Sequence, residues 1–186
     1  YKKRNYFRQR CTYKNSETRK IIAEKLYYFF LFLLLYMEIG GHYKKAWVIN
    51  GKINETTADV VQYFASSPRQ KNFILKQSEM DSINSRDYKQ LMYVHVPYTL
   101  NPALSEDYVK ENFKNQIKWS NETNSQGIIF HTGKSTNMTI SSAKKNMKKL
   151  LKSLCKRKSK IIFETSSGQG NDIITTIQEL YELTDN

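Results

Sequence analysis

Leu91-Met92-Tyr93-Val94-His95-Val96-Pro97 is the stretch on which the reading of this chain turns. It is a short apolar run that ends in an imidazole and is closed by proline, the pattern of a buried strand. Two later runs repeat it, Gly127-Ile128-Ile129-Phe130-His131 and Lys160-Ile161-Ile162-Phe163-Glu164, and each again ends in a metal-type ligand. The intervening segments carry helical spacing. From Ser105 to about Ser120, Ser105 suits an N-cap, Glu106 and Asp107 suit the first turn, and Val109, Phe113 and Ile117 repeat every four residues. From Ser141 to about Arg157, Ala143, Met147, Leu150, Leu151 and Leu154 line one face, with Lys144, Lys145, Lys148, Lys149 and Lys152 mostly around the other side. Asp172 is placed to cap a last helix with an apolar stripe of Ile173, Ile174, Ile177, Leu180 and Tyr181.

Working upstream, Val60 to Phe64 is a β-rich run ending in Ala65-Ser66-Ser67-Pro68-Arg69-Gln70. Before it, Leu26 to Met37 is almost wholly apolar and is preceded by a basic segment. That run has two readings, a signal-type h-region or a first core strand closing at Ile39 before Gly40-Gly41-His42. It is shorter than the 18 or so residues an ordinary membrane span needs. About five strands then alternate with helices from residue 33 onward, an order that gives a parallel sheet with the helices outside. The fold expected is α/β, a TIM-type (β/α)8 barrel of which only about the first five β/α units are present. A doubly wound sheet is the rival, but Gly40-Gly41 is not followed by a full Gly-x-Gly-x-x-Gly phosphate turn. Residues 1–36 are set apart as a basic leader or arm, and residues 37–186 carry the barrel.

The 186 residues suffice for one sizeable core. A net charge of +13 and a pI near 9.6 favour a polyanionic partner, nucleic acid or an acidic surface. The charge is uneven: residues 1–25 hold nine Lys/Arg against two Glu. A second cluster, Lys144 to Lys160, falls on an outer helix and is expected to be solvated rather than to touch DNA. The cysteines, Cys11 and Cys155, form no Cys-x-x-Cys pair, so a cysteine zinc site and a disulfide scaffold are not expected.

The chain has only three histidines, and two of them close equivalent strands. Parallel barrels gather the C-terminal ends of their strands on one face, where their chemistry takes place. Two imidazoles and a carboxylate meeting there make a first shell for zinc. His95, His131 and Glu164 are therefore the expected metal ligands.

The local motifs carry a resemblance. His95-Val96-Pro97-Tyr98-Thr99-Leu100-Asn101 resembles the His-x-x-Tyr-x-x-Asn segment of the endonuclease IV family of apurinic/apyrimidinic endonucleases. Phe130-His131-Thr132-Gly133 is similar to that family's His-Pro-Gly turn, and Glu164-Thr165-Ser166-Ser167-Gly168-Gln169-Gly170 to its Glu-Asn-Thr-Ala-Gly-Gln-Gly signature. Ile39-Gly40-Gly41-His42 is similar to the Ile-Gly-Ala-His that ends the family's first strand. Thr132 and Thr165 depart from the family's proline and asparagine, and Thr99 stands where a bulkier apolar residue is common.

The resemblance implies a DNA-repair enzyme that cleaves the phosphodiester 5′ to an abasic site with a multinuclear zinc site, up to three ions in a complete enzyme. It implies Glu164 as the catalytic carboxylate bridging two zincs, Arg69 and Tyr98 as residues that enter DNA at an abasic site, and His42 and Asn101 as supports behind the ligands. The family's later ligand segments, Asp-Thr-x-His, His-x-Asn-Asp and Asp-x-His, have no counterpart before Asn186. The chain is thus expected to be either the N-terminal part of a longer enzyme or a truncated product without activity. The partner expected is double-stranded DNA with abasic sites, the full-length protein a monomer, the compartment one that contains DNA, and any membrane contact confined to the leader. Two alternatives stay open: a sugar isomerase or epimerase on the same barrel using one divalent ion, and a non-catalytic basic DNA-binding protein.

Overall fold

The computed structural model describes residues 38–154, 159–165, 168 and 170–184. The chain divides at Ile39, and the structure below is that of the unit Ile39–Asn186. The leader 1–36, the apolar run Leu26–Met37, Cys11, Cys155 and Gln169 lie outside the described residues.

Five strands run in sequence order, β1 (Gly40–Tyr43), β2 (Val60–Phe64), β3 (Leu91–His95), β4 (Gly127–His131) and β5 (Lys160–Glu164). Every neighbouring pair is parallel. The connections are helical: α1 (Lys45–Ile49) with a 3-10 turn at Lys52–Glu55, α2 (Gln77–Asn84), α3 (Asp107–Glu122) and α4 (Ile140–Leu154), with α5 (Ile177–Thr184) after β5. These are the first five β/α units of a TIM-type barrel. Parallel strands need crossovers of a dozen or more residues, and each helix packs back over the sheet it left.

The two faces of the sheet differ. Val61, Tyr63, Met92, Val94, Ile128 and Phe130 point to one side and are buried. There they join Val109, Phe113 and Ile117 of α3 and Ala143, Met147 and Leu154 of α4 in one core. The registered alternation sends Phe64, His95, His131 and Glu164 to the other face. That face is largely half-buried, with Gln62, Tyr93, Ile129 and Ile162 along it. β4 and β5 approach so closely at their start that a β-carbon on Gly127 would lie 2.4 Å from the Lys160 carbonyl oxygen. Only glycine fits that gap.

Several expected boundaries shift. The first strand lies at Gly40–Tyr43, past the expected stop at Ile39, where Gly40 lies so close to Val60 that a β-carbon would stand 3.1 Å from its carbonyl oxygen. Ser105 does not cap α3. Glu106 takes the N-cap place and makes no side-chain cap bond. Asp172 does not cap α5 either. It forms a bridge with Lys134, and the cap is a reciprocal pair in which Thr176 Oγ1 accepts the Glu179 N–H at 3.2 Å and Glu179 Oε2 accepts the Thr176 N–H at 3.2 Å. Ile173 and Ile174 are buried ahead of the helix, whereas Ile177 and Tyr181, assigned to its apolar stripe, are 82 % and 61 % exposed. The short helices α1 and α2 carry too few apolar repeats to have stood out.

Candidate metal centre

His95 closes β3 with a side chain almost wholly out of solvent. Its Nδ1 lies 2.7 Å from the Val96 carbonyl oxygen. A carbonyl only accepts, so Nδ1 carries the hydrogen and Nε2 is left facing Glu164 Oε2 at 3.0 Å. His131, half-buried at the end of β4, is the register partner of Glu164 at the end of β5. The ring centroids of His95 and His131 are 5.3 Å apart.

One ligand atom from each of His95, His131 and Glu164 falls within 4.8 Å of the others. Ligands of one tetrahedral zinc at about 2.0–2.2 Å stand about 3.3–3.6 Å apart. His95 Nε2 and Glu164 Oε2, at 3.0 Å, are already at that scale, and the widest pair of the group would close by about 1 Å. The donor set fits as well: two neutral imidazoles and a carboxylate suit a divalent ion, and the Nδ1–H bond to a backbone carbonyl is the usual way a ligating imidazole is oriented.

Aromatic rings frame the group. Tyr98, 60 % exposed, has its ring centroid 5.4 Å from His95 and 5.3 Å from His131. Phe64 wedges beside it, 4.8 Å from His95, 5.2 Å from Tyr98 and 4.7 Å from His42. His42 stands 6.2 Å from His95, ring to ring. Partial desolvation lowers the His42 pKa from the ordinary imidazole value, His95 adds to the shift and Glu164 opposes it. Arg69 is exposed on the turn after β2. The hydrogen bonds of Asn101 go to the backbone of Ala103 and Lys134.

A cleft of about 640 Å³ opens beside the group, lined by Tyr98, Asn101, His131, Gly133, Lys134, Glu164 and Asp172 among others. Lys134 Nζ stands 3.7 Å from the buried carboxylate of Asp172. The sequence did not single out Phe64 or Lys134, and Gly133 stood out only as part of the His131 motif. Phe64 is registered opposite His95, and that pairing becomes visible only once the strands are aligned.

The loops at this end are tied in series. Thr99 Oγ1 donates to the Gln70 carbonyl at 3.0 Å, joining the loops after β2 and β3. Asn101 joins the loops after β3 and β4. The Ser135 N–H donates to the Asn171 carbonyl at 2.8 Å and the Ile173 N–H to the Gly133 carbonyl at 3.3 Å, joining those after β4 and β5. Thr132, the departure from the family's proline, is fully buried, and its hydroxyl lies 3.4 Å from the Ile174 carbonyl oxygen. Gly168 and Gly170, in the loop beyond Glu164, both adopt positive φ, at 74° and 63°.

No protein-family model matches the chain. Among curated proteins, "Probable endonuclease 4" of Mesomycoplasma hyopneumoniae is 27% identical over 165 residues, covering 79% of this chain and 58% of the relative. The protein of the same name from Persephonella marina is 25% identical over 162 residues, covering 79% and 57%. Among solved structures, endonuclease IV from Thermus thermophilus superposes with a TM-score of 0.65 at 16% identity, over 81% of this chain and 60% of that one. The chain is thus similar in sequence to proteins named as endonuclease 4 and in fold to endonuclease IV. A D-tagatose 3-epimerase-like protein shares the fold, with a TM-score of 0.61 at 19% identity, over 81% of this chain and 61% of that one. The chain spans a little under three fifths of the length of the curated endonuclease relatives it matches.

Proposed function

We propose that this endonuclease IV relative carries the N-terminal ligand cluster of a zinc-dependent nuclease that cleaves DNA 5′ to abasic sites. The observation that carries the reading is the convergence of His95, His131 and Glu164 within 4.8 Å at the ends of three successive strands, in a chain whose curated relatives are named as endonucleases. His95 and His131 would hold one ion, and Glu164 would share it with a second. Zinc bound there supplies Lewis acidity toward a phosphoryl oxygen. The protein's own part is to hold the ligands before the substrate arrives. Nδ1–H of His95 is fixed on Val96, so Nε2 is already turned toward Glu164 and does not have to be reoriented.

An abasic nucleotide lacks stacking, so extruding it costs little, and an exposed ring can fill the gap it leaves. Tyr98 has that exposure and stands over the ligand group. Arg69 and Lys134 would meet phosphates from either side, in keeping with the +13 charge. The epimerase reading has the fold similarity in its favour but does not use Tyr98 or Arg69.

The test is cleavage of a duplex carrying one abasic site by the protein at its full natural length. Nicking on the 5′ side, abolished by a strong chelator and restored by zinc, is the expected result. Glu164→Gln should remove most of it, since a neutral amide offsets the charge of two cations poorly. Equal rates for Glu164→Gln and wild type would take Glu164 out of the reaction.

A further inference from the structure

We propose that Asn101 is a positioning residue that sets the gap between the two imidazoles of the metal group, an inference that rests on the metal-site reading above. Three backbone hydrogen bonds converge on its carboxamide. Oδ1 accepts the Ala103 N–H at 3.1 Å, which ties the side chain to its own loop after β3. Oδ1 also accepts the Lys134 N–H at 3.1 Å, and Nδ2 donates to the Lys134 carbonyl at 2.8 Å. The side chain thus grips both backbone groups of one residue, as a neighbouring strand would. A neutral carboxamide suits this because it presents a donor and an acceptor on one carbon.

Gly133 makes room for the grip. Its φ is +86°, and a β-carbon there would lie 2.6 Å from Asn101 Oδ1 and 3.0 Å from Pro102 Cδ. The place of the lock matters for the ligands. The sheet registers His95 opposite Ile129, and the last ladder bond between these strands runs from the Val96 N–H to the Ile129 carbonyl at 2.8 Å. His131 lies beyond that bond. Among the described residues, the direct hydrogen bonds between the loops after β3 and β4 past this point are those Asn101 makes with Lys134; farther from the ligand group, Asn146 of α4 donates to the Ala103 carbonyl at 3.0 Å. The Lys134 side of the lock is already zipped to the loop after β5 through Asp172 and Asn171. Asn101 therefore couples the loop that follows His95 and holds Tyr98 to the joined loops that follow His131 and Glu164.

Three variants test this: Asn101→Leu keeps the shape without hydrogen bonds, Asn101→Asp keeps both accepted bonds, and Gly133→Ala pushes on Oδ1. Each is examined in two ways, by amide hydrogen exchange at Lys134 in the metal-free protein and by cobalt(II) affinity in competition with a chromophoric chelator. Asn101→Leu and Gly133→Ala should each lower cobalt affinity about tenfold to a hundredfold, the range for residues that orient ligands. Both should speed Lys134 exchange while the amides within β3 exchange as before, and Asn101→Asp should recover part of both effects. Should Asn101→Leu fail to fold, Gly133→Ala carries both readouts. Wild-type affinity and exchange in the folded variants would overturn the proposal. Wild-type protein that takes up no cobalt would instead overturn the metal reading, and the exchange data would still decide whether Asn101 sets the loop spacing.

Discussion

One imidazole at the end of β3 has both nitrogens committed: His95 gives its Nδ1–H to Val96 and turns Nε2 toward Glu164. Tyr98, three residues on, touches both imidazoles through its ring face and edge but offers them no hydrogen bond. The two residues should therefore separate in a binding experiment. Tyr98→Ala should weaken binding to a duplex with an abasic-site analogue by about 1–3 kcal/mol, the usual cost of losing a stacking ring, while leaving zinc affinity unchanged. Parallel titrations with DNA and with metal check this, and a loss confined to metal would place Tyr98 with the ligands instead. The clustering of His95, His131 and Glu164 was legible in the sequence because each ends an apolar run. The parts played by Phe64 and Gly133 were not, because the first matters through its register partner and the second through its backbone sign.

For whole elements, strands were easier to read than helix ends. Continuous apolar runs bounded by turn residues located β2 to β5 to within a residue. The start of α5 was misplaced because Asp172-Ile173-Ile174 imitates a cap followed by an apolar stripe, while the segment is pinned to the β4 loop and the true cap lies at Thr176 and Glu179. Glu179 also bonds Lys144 of α4 at 2.9 Å and accepts the Thr175 N–H at 2.8 Å. The Lys144 bond first, and then the Thr175 backbone, lower its pKa to about 2 from the ordinary 4.5. A carboxylate whose folded pKa lies below its unfolded value contributes its stability above about pH 4.5 and loses it as pH falls toward 2. A carbon-detected titration of the Glu179 carboxyl should show a midpoint near 2, and Lys144→Ala should move it upward. A midpoint at the ordinary value in wild type would dissolve the link between α4 and α5 described here.

In the unit Ile39–Asn186, the buried face of the sheet meets the helices in the core, and the opposite face is largely half-buried. β1 and β5 are sheet edges among the described residues. Unpaired edges and half-covered apolar faces favour association. The chain as given, residues 1–186, should therefore show concentration-dependent self-association in sedimentation velocity. A single monomeric species from micromolar to millimolar protein would contradict this. None of the described helices is long and apolar enough to cross a membrane. The barrel class was legible from the β-α alternation, but no residue pattern could show which face of the sheet would remain open, because that depends on what the helices cover.

The gap at Gly127 has a consequence for heredity. Gly127 stands four residues before His131 and opposite Lys160, four residues before Glu164. Any other residue there must force β4 and β5 apart, and the displacement would reach both His131 and Glu164 without altering either. A single base change at this codon would thus behave genetically like the loss of the His95–His131–Glu164 cluster. Revertants should rarely arise at those three positions, where no substitution can restore the spacing. They should return to glycine, the one residue without a β-carbon to place against the Lys160 carbonyl.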